Sequence, residues 1–87
     1  MNVLVLFRPN SEHERTVIDY TRDFSRATGH NLRQISLDSV EGAELAKLYD
    51  VTSYPAIVAT RNDGQLLQLW QDEFLPTINE VAAYLAQ

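Results

Sequence analysis

The order of apolar and polar positions along the chain predicts four β-strands. Residues 3–7 are a continuous apolar run, short enough for a strand that is covered on both faces. Residues 31–37 alternate imperfectly between polar and apolar side chains, and residues 55–60 and 65–71 give two further strand-like runs. The last two runs are joined by Asn-Asp-Gly at 62–64, which tolerates the positive φ angles of a tight hairpin turn.

Helical spacing fills the segments between these strands. After the first strand, apolar side chains recur at three- and four-residue intervals at Val17, Tyr20, Phe24 and Ala27, and Gly29 is a natural helix stop. Asp38 and Ser39 can cap a short helix that runs to Tyr49. The apolar side of that helix is predicted to be Leu45, Leu48 and Tyr49. Pro76 begins the last helix, whose apolar face is Ile78, Val81, Ala82 and Leu85.

The resulting order, β-α-β-α-β-β-α, predicts an α/β fold. The first two strands are joined through a helix and should be parallel, whereas the last two are joined by a short turn and should be antiparallel. We therefore expect a mixed four-stranded sheet with helices on both faces. With 87 residues, the chain has room for one domain, residues 1–87.

The composition of the chain excludes several kinds of chemistry. It contains no cysteine, which rules out disulfides, thiolate metal sites, thiol nucleophiles and dithiol redox reactions. The two histidines, His13 and His30, are too far apart in sequence to form a local ligand pair. The sequence therefore predicts neither a metal site nor a cofactor.

The charge of the chain narrows the choice of partner. Its net charge of −5 argues against nucleic acid and anionic membranes. Residues 1–37 hold five arginines against four acidic residues, whereas residues 38–87 hold two basic residues against eight acidic ones. No apolar stretch approaches the length of a membrane span, and the start lacks a signal-peptide pattern. We expect a cytoplasmic protein.

Several stretches of the chain together resemble the thioredoxin-like superfamily. Residues 48–70, LYDVTSYPAIVATRNDGQLLQLW, look like the second half of a thioredoxin, and PTINEVAAYLA at 76–86 looks like its final helix. VLFRPNSEHERTV at 5–17 resembles the glutaredoxin stretch that contains Cys-x-x-Cys, with Ser11 and Glu14 in the places of the two cysteines. The resemblance covers nearly the whole chain. It implies a thioredoxin-like fold with a cis peptide bond before Pro55, but without that family's thiol chemistry.

The segment Ser11-Glu12-His13-Glu14 fits the capping box Ser-x-x-Glu at the start of the first helix. In that motif the serine hydroxyl accepts from a backbone N–H of the first turn, and the glutamate accepts from the serine's own N–H. Ser11 and His13 could instead be a nucleophile and its base. Residues two apart in a helical turn point in different directions, however, and no Gly-x-Ser-x-Gly motif is present. We favour the cap, with His13 as a solvated residue.

Five charged residues of the first helix have a pair spacing that suggests a salt-bridged solvent face rather than an anion-binding patch. They are Arg15, Asp19, Arg22, Asp23 and Arg26, and the expected pair is Arg15 with Asp19, four residues apart.

The resemblance also suggests an alternative in which the protein binds glutathione without its own thiol. Arg8 lies at the strand end where glutaredoxin-like proteins often carry a basic residue for glutathione, and Asp72 lies near their acidic position for its amino group. Tyr54 would offer its backbone to the tripeptide.

Our preferred hypothesis is a redox-inactive thioredoxin-like domain that binds a protein or peptide near Pro55. A structural role for Pro55, at the start of a strand, explains its presence equally well. Tyr54 and Trp70 could be core aromatics or could be partly exposed beside the proline. The predicted binding residues are Ser11, Glu12, His13, Glu14, Tyr54, Pro55, Trp70 and Asp72.

Overall fold

A computed structural model describes residues 2–71 and 75–85, and these residues form four strands and three helices. Asp72 lies outside them. The strands are β1 (Asn2–Phe7), β2 (Arg33–Ser36), β3 (Ala56–Thr60) and β4 (Leu66–Trp70), and the helices are α1 (Glu14–Thr28), α2 (Val40–Leu48) and α3 (Ile78–Leu85). The predicted element order is confirmed. β2 is shorter at both ends than the pattern of residues 31–37 indicated.

The four strands form one mixed sheet in the order β2-β1-β3-β4. β1 is parallel to β2, with Leu6 opposite Ile35. β3 is antiparallel to β1 and to β4, with Leu6 opposite Ala56 and Ile57 opposite Trp70. β1 and β3 are therefore the two central strands. Five of the six residues of β1 and all five of β3 are buried, which explains why their sequences are continuous apolar runs rather than alternating ones.

Apolar side chains pack on both faces of the sheet. On one face, α1 and α3 cover β1 and β3 with Val17, Phe24 and Val81, all nearly inaccessible to solvent. On the other face, α2 contributes Leu45 and Ala46 to a second cluster. The helices thus lie on both sides, as the sequence predicted.

The two helix ends with clear sequence signals adopt the expected geometry. Gly29 follows α1 with a φ of 75°, a left-handed conformation, and its N–H donates to the carbonyl of Ser25 at 2.9 Å. Ser39 is the N-cap of α2, and its hydroxyl accepts from the N–H of Gly42 at 3.0 Å. Both features follow directly from short-range chemistry.

The predicted apolar side of α2 was wrong at one position. Leu45 and Tyr49 pack on the second cluster, but Leu48 is 67% exposed. Gly42 faces the sheet instead and lies so close to the carbonyl of Ser36 that a β-carbon on Gly42 would overlap it. The helix therefore approaches the sheet through a glycine, and Leu48 is directed to the outer side.

The β3–β4 hairpin has the turn that Asn62-Asp63-Gly64 predicted. Gly64 has a φ of 91°, and its N–H donates to the carbonyl of Arg61 at 2.9 Å. The side chain of Asp63 accepts from the N–H of Gln65 at 3.0 Å. Tyr49, the C-cap of α2, donates its hydroxyl to the carbonyl of Gly64 at 2.7 Å, which joins the turn to the helix end.

One hydroxyl of α1 is buried without a hydrogen-bond partner in the described part of the chain. The hydroxyl oxygen of Tyr20 is buried, and no hydrogen bond to it is found within residues 2–71 and 75–85. Its ring stacks with that of Phe24 at a centroid distance of 6.3 Å. Burial, and secondarily the negative charge of Glu80, raises the pKa of Tyr20 to about 12.

Candidate functional site

Most of the residues that the sequence singled out lie at one end of the sheet, where three strands begin or end. β1 ends at this edge, and β3 begins there because it is antiparallel to β1. β4 also ends there, since Ile57 lies opposite Trp70. We call residues 8–13, 52–55 and 71 the Pro55 edge. The fold alone thus brings the segment after β1 and the segment before β3 to the same edge.

The turn between β1 and α1 is held by three hydrogen bonds between side chains and backbone. The hydroxyl of Ser11 donates to the carbonyl of Arg8 at 2.5 Å. The N–H of Arg8 donates to Nε2 of His13 at 3.1 Å, and the N–H of Asn10 donates to Oε2 of Glu14 at 3.1 Å. Asn10 has a φ of 59°, the left-handed conformation that asparagine tolerates better than most residues. The turn is therefore closed on itself.

The capping-box prediction for Ser11 was wrong. α1 begins at Glu14, and its N-cap is His13, which makes no side-chain capping bond. The Ser11 hydroxyl donates a hydrogen bond to the carbonyl of Arg8, before the helix. The carboxylate of Glu14 accepts from the N–H of Asn10 rather than from that of Ser11. The N-cap therefore lies two residues later than the capping box predicted, after a turn in which Asn10 is left-handed. The two side chains still satisfy local backbone groups, but in a different set of pairs.

His13 does not have the solvated role that we expected. Its Nε2 accepts a hydrogen bond from the N–H of Arg8, so Nε2 itself carries no proton in this arrangement. Ser11 donates to the carbonyl of the same arginine. The two side chains thus each bond to the backbone of Arg8, an arrangement in which His13 does not act as a base on Ser11. Glu12 is exposed beside them.

Tyr54 and Arg8 meet at the Pro55 edge. The guanidinium carbon of Arg8 lies 5.9 Å from the centre of the Tyr54 ring, a cation–π contact worth about 0.5–1 kcal/mol at an exposed position. Tyr54 is 37% exposed, whereas Pro55 is buried, and the peptide bond between them is cis. Within residues 2–71 and 75–85, the N–H and C=O of Tyr54 make no backbone hydrogen bond.

Gln71 is a residue of this edge that the sequence reasoning missed. Its Oε1 accepts from the N–H of Thr52 at 2.8 Å and from that of Ser53 at 3.2 Å. One side chain at the end of β4 therefore fixes the two residues that precede Tyr54. No signal in the sequence marked it, since a glutamine at a predicted strand end is ordinary.

Trp70 lies next to Gln71 but faces a different neighbourhood. Its ring makes an edge-to-face contact with Tyr84 of α3, at a centroid distance of 5.3 Å and an angle of 85°. It packs as a partly buried residue against the same cluster as Val81. Arg8 therefore contacts Tyr54, whereas Trp70 packs against α3. The predicted site residue Asp72 lies outside the described residues.

The charged face of α1 carries ion pairs, as predicted, although not the expected one. Arg22 contacts Asp19 at 3.6 Å and Asp23 at 3.5 Å, and all three side chains are about half exposed. The anticipated pair of Arg15 with Asp19 does not occur in the part of the chain that the structure describes. Such exposed pairs contribute little to stability.

The described residues contain neither a cluster of metal-ligating side chains nor a helix that could span a membrane. No group of three histidine, aspartate or glutamate side chains comes together in them to hold an ion. None of their helices combines the length and the apolar character needed to cross a bilayer.

The structure is similar to solved structures over nearly its whole length. Thioredoxin 1 from Thermosipho africanus matches with a TM-score of 0.68 and 10% identity, covering 99% of this chain and 91% of that one. A structure described as that of a malarial protein matches with a TM-score of 0.63 and 18% identity, covering 99% and 96%. No protein-family model matches the sequence, and no curated protein matches it. At these identities the similarity shows the fold alone. The chain has a thioredoxin-like fold and lacks the cysteines on which thioredoxin chemistry depends.

Proposed function

We propose that this domain is redox-inactive and binds an extended segment of a protein or peptide at the Pro55 edge. The observation that carries the proposal is the state of Tyr54. Its side chain is exposed, and its N–H and C=O have no backbone partner in the described residues. Backbone groups without a partner within residues 2–71 and 75–85 can pair with the backbone of an extended peptide.

The contacts around Tyr54 suit such a role because they hold the neighbouring residues in place. Pro55 is buried behind it, and Gln71 fixes the two residues before it. The guanidinium of Arg8 supports the tyrosine ring from the other segment. A preformed edge loses little conformational entropy when a partner binds. We expect the partner segment to be neutral or basic, because the exposed Glu12 belongs to the same edge, and to place an apolar side chain against Tyr54.

The first test selects binders from a library of displayed random peptides and measures their affinities by calorimetry. Tyr54→Ala should weaken binding at least tenfold. Arg22→Ala and Arg26→Ala are the matched controls on the exposed face of α1, and they should leave affinity unchanged. A contact that mapped to the arginine face, with Tyr54 silent, would contradict the proposal.

The second test separates peptide binding from the glutathione alternative, which the adjacency of Arg8 and Tyr54 keeps open. Glutathione is added to ¹⁵N-labelled protein. Shifts of the Arg8 and Tyr54 amides that saturate would favour the alternative, and unchanged amides would favour peptide binding. In parallel, reduction of insulin with dithiothreitol should stay at the buffer rate, and catalysis above that rate would overturn the redox-inactive assignment.

A further inference from the structure

The backbone of Arg8 is held by two side chains, one of which can change its charge near neutral pH. The Ser11 hydroxyl donates to the carbonyl of Arg8, and Nε2 of His13 accepts from its N–H at 3.1 Å. Histidine is the side chain whose ordinary titration falls between about pH 5 and 8. A protonated imidazole carries a proton on both nitrogens and accepts no hydrogen bond. The bond from Arg8 to His13 therefore exists only while Nε2 is unprotonated.

Arg8 connects this hydrogen bond to the Pro55 edge. Its guanidinium carbon lies 5.9 Å from the centre of the Tyr54 ring. Protonation of His13 places an N–H of the ring against the N–H of Arg8, and because two donors repel each other, the two groups must separate. Arg8 then keeps the hydrogen bond from Ser11 but loses the one at its N–H. Its contact with Tyr54 is consequently held less firmly.

We propose that His13 makes peptide binding at the Pro55 edge dependent on pH, because protonation of Nε2 opens the turn before α1 and weakens the complex. This inference rests on the proposed function, since Tyr54 is the recognition feature in both. Two effects act in the same direction. The contact of Arg8 with Tyr54 loses its fixed geometry, and a second positive charge appears beside Arg8, where a neutral or basic partner segment is expected.

No carboxylate of the described residues is placed to pair with a protonated His13. The imidazole forms no ion pair within residues 2–71 and 75–85. The carboxylate of Glu14 is already the acceptor for the N–H of Asn10. The new charge is therefore uncompensated in the present geometry. The charged or titratable side chains of the turn, of the first turn of α1 and of the rest of the Pro55 edge are Arg8, Glu12, Glu14, Arg15 and Tyr54.

The opening of the turn is tested first in the free protein, without any peptide. The amides of Arg8 and Tyr54 are followed in ¹⁵N-labelled protein from pH 8 to pH 5, together with the imidazole signals of His13. The Arg8 amide proton should move upfield with the same midpoint as the His13 ring, because its acceptor is lost, and the Tyr54 amide should follow the same curve. His13→Gln removes the titrating group and should leave both amides nearly unchanged. A wild-type Arg8 amide that does not follow the His13 ring would overturn the proposal.

Binding is measured with a peptide that is selected by display at pH 7.5 and contains no histidine, so that His13 and His30 are the only histidines in the mixture. Its dissociation constant should rise about two- to fivefold between pH 7.5 and pH 5, the factor expected when an exposed cation–π contact is lost. His13→Gln should abolish this change. His30→Gln is the matched control and should retain it, because His30 borders a cavity with Asn2 and Thr60 at the opposite end of the sheet.

Failure of the pH dependence and failure of the proposed function give different results. A peptide that binds at Tyr54 with an affinity independent of pH, or more tightly at pH 5, would overturn the pH dependence and leave the peptide site standing. A pH dependence that His30→Gln removes and His13→Gln retains would also overturn it. If no peptide is selected, the proposed function fails and its regulation with it. Far-UV circular dichroism at both pH values checks that each variant is folded.

Discussion

Removing the hydroxyl of Tyr20 should stabilise the protein. This hydroxyl is buried and has no partner within residues 2–71 and 75–85, so the folded state carries the desolvation cost of an unsatisfied polar group. That cost is about 1–3 kcal/mol for a buried hydroxyl. Tyr20→Phe keeps the ring and its stacking on Phe24. Because the ring is only partly buried, we expect the lower end of the range, a gain of about 1 kcal/mol.

The matched control is Tyr49→Phe, the same chemical change at a hydroxyl that is bonded. Tyr49 donates to the carbonyl of Gly64 at 2.7 Å, so its loss should lower the free energy of unfolding by about 0.5–1.5 kcal/mol. Urea unfolding followed by circular dichroism measures both variants. For a chain of this size, 1 kcal/mol corresponds to about 4–8 °C in Tm, so the opposite signs are easily resolved.

The pH dependence of the free energy of unfolding tests independently whether the Tyr20 hydroxyl is buried without a partner. Its pKa in the folded state is about 12, above the value near 10 of the unfolded chain. The folded state therefore holds this proton more tightly, and the associated stability is complete below about pH 10 and lost as the pH rises through 12. Allowing for solvent screening, the wild type should lose about 1 kcal/mol more than Tyr20→Phe between pH 9 and 12. If Tyr20→Phe destabilises the protein and the two pH curves are parallel, the hydroxyl has a partner and this reasoning fails.

Two further predictions concern helix ends and helix packing. Ser39→Ala should lower the free energy of unfolding by about 1 kcal/mol because it removes an N-cap. Ser11→Ala should lower it by less than about 0.5 kcal/mol because the Ser11 hydroxyl only donates to the exposed carbonyl of Arg8. Equal shifts of the urea midpoint would contradict this assignment. Gly42→Ala should destabilise the protein by about 1–3 kcal/mol despite the better helix propensity of alanine, since its β-carbon would overlap the carbonyl of Ser36. Thermal unfolding of that variant checks it, and a raised Tm would show that α2 can move off the sheet.

Short-range patterns were sufficient for most of the fold. The continuous apolar runs of β1 and β3 correctly indicated central strands, and Gly29, Ser39 and the Asn-Asp-Gly turn marked boundaries through chemistry confined to a few residues. The hydrogen bonds of these turns and caps are made within a few residues, so a partner strand or tertiary packing has little effect on them. The order of elements then limited the sheet to a few topologies.

The failures occurred where two local arrangements were both chemically reasonable. Ser11 and Glu14 satisfy the capping-box pattern, but a left-handed Asn10 allows the same side chains to bond to the turn before the helix. Leu48 has helical spacing with Leu45, but the close approach of Gly42 to the sheet turns Leu48 outward. In each case the choice depends on a neighbouring segment that the sequence pattern does not contain.

The turn before α1 bears on the proposal of peptide binding at the Pro55 edge. A helix start usually attracts an anion because its first N–H groups are unpaired. Here Glu14 lies in the first turn of α1, and its carboxylate accepts from Asn10. His13 and Ser11 engage both backbone groups of Arg8. The backbone groups of Arg8 and the N–H of Asn10 are thus bonded within the turn itself. Tyr54 has an exposed ring and no backbone hydrogen bond within residues 2–71 and 75–85, and the peptide proposal therefore depends on Tyr54.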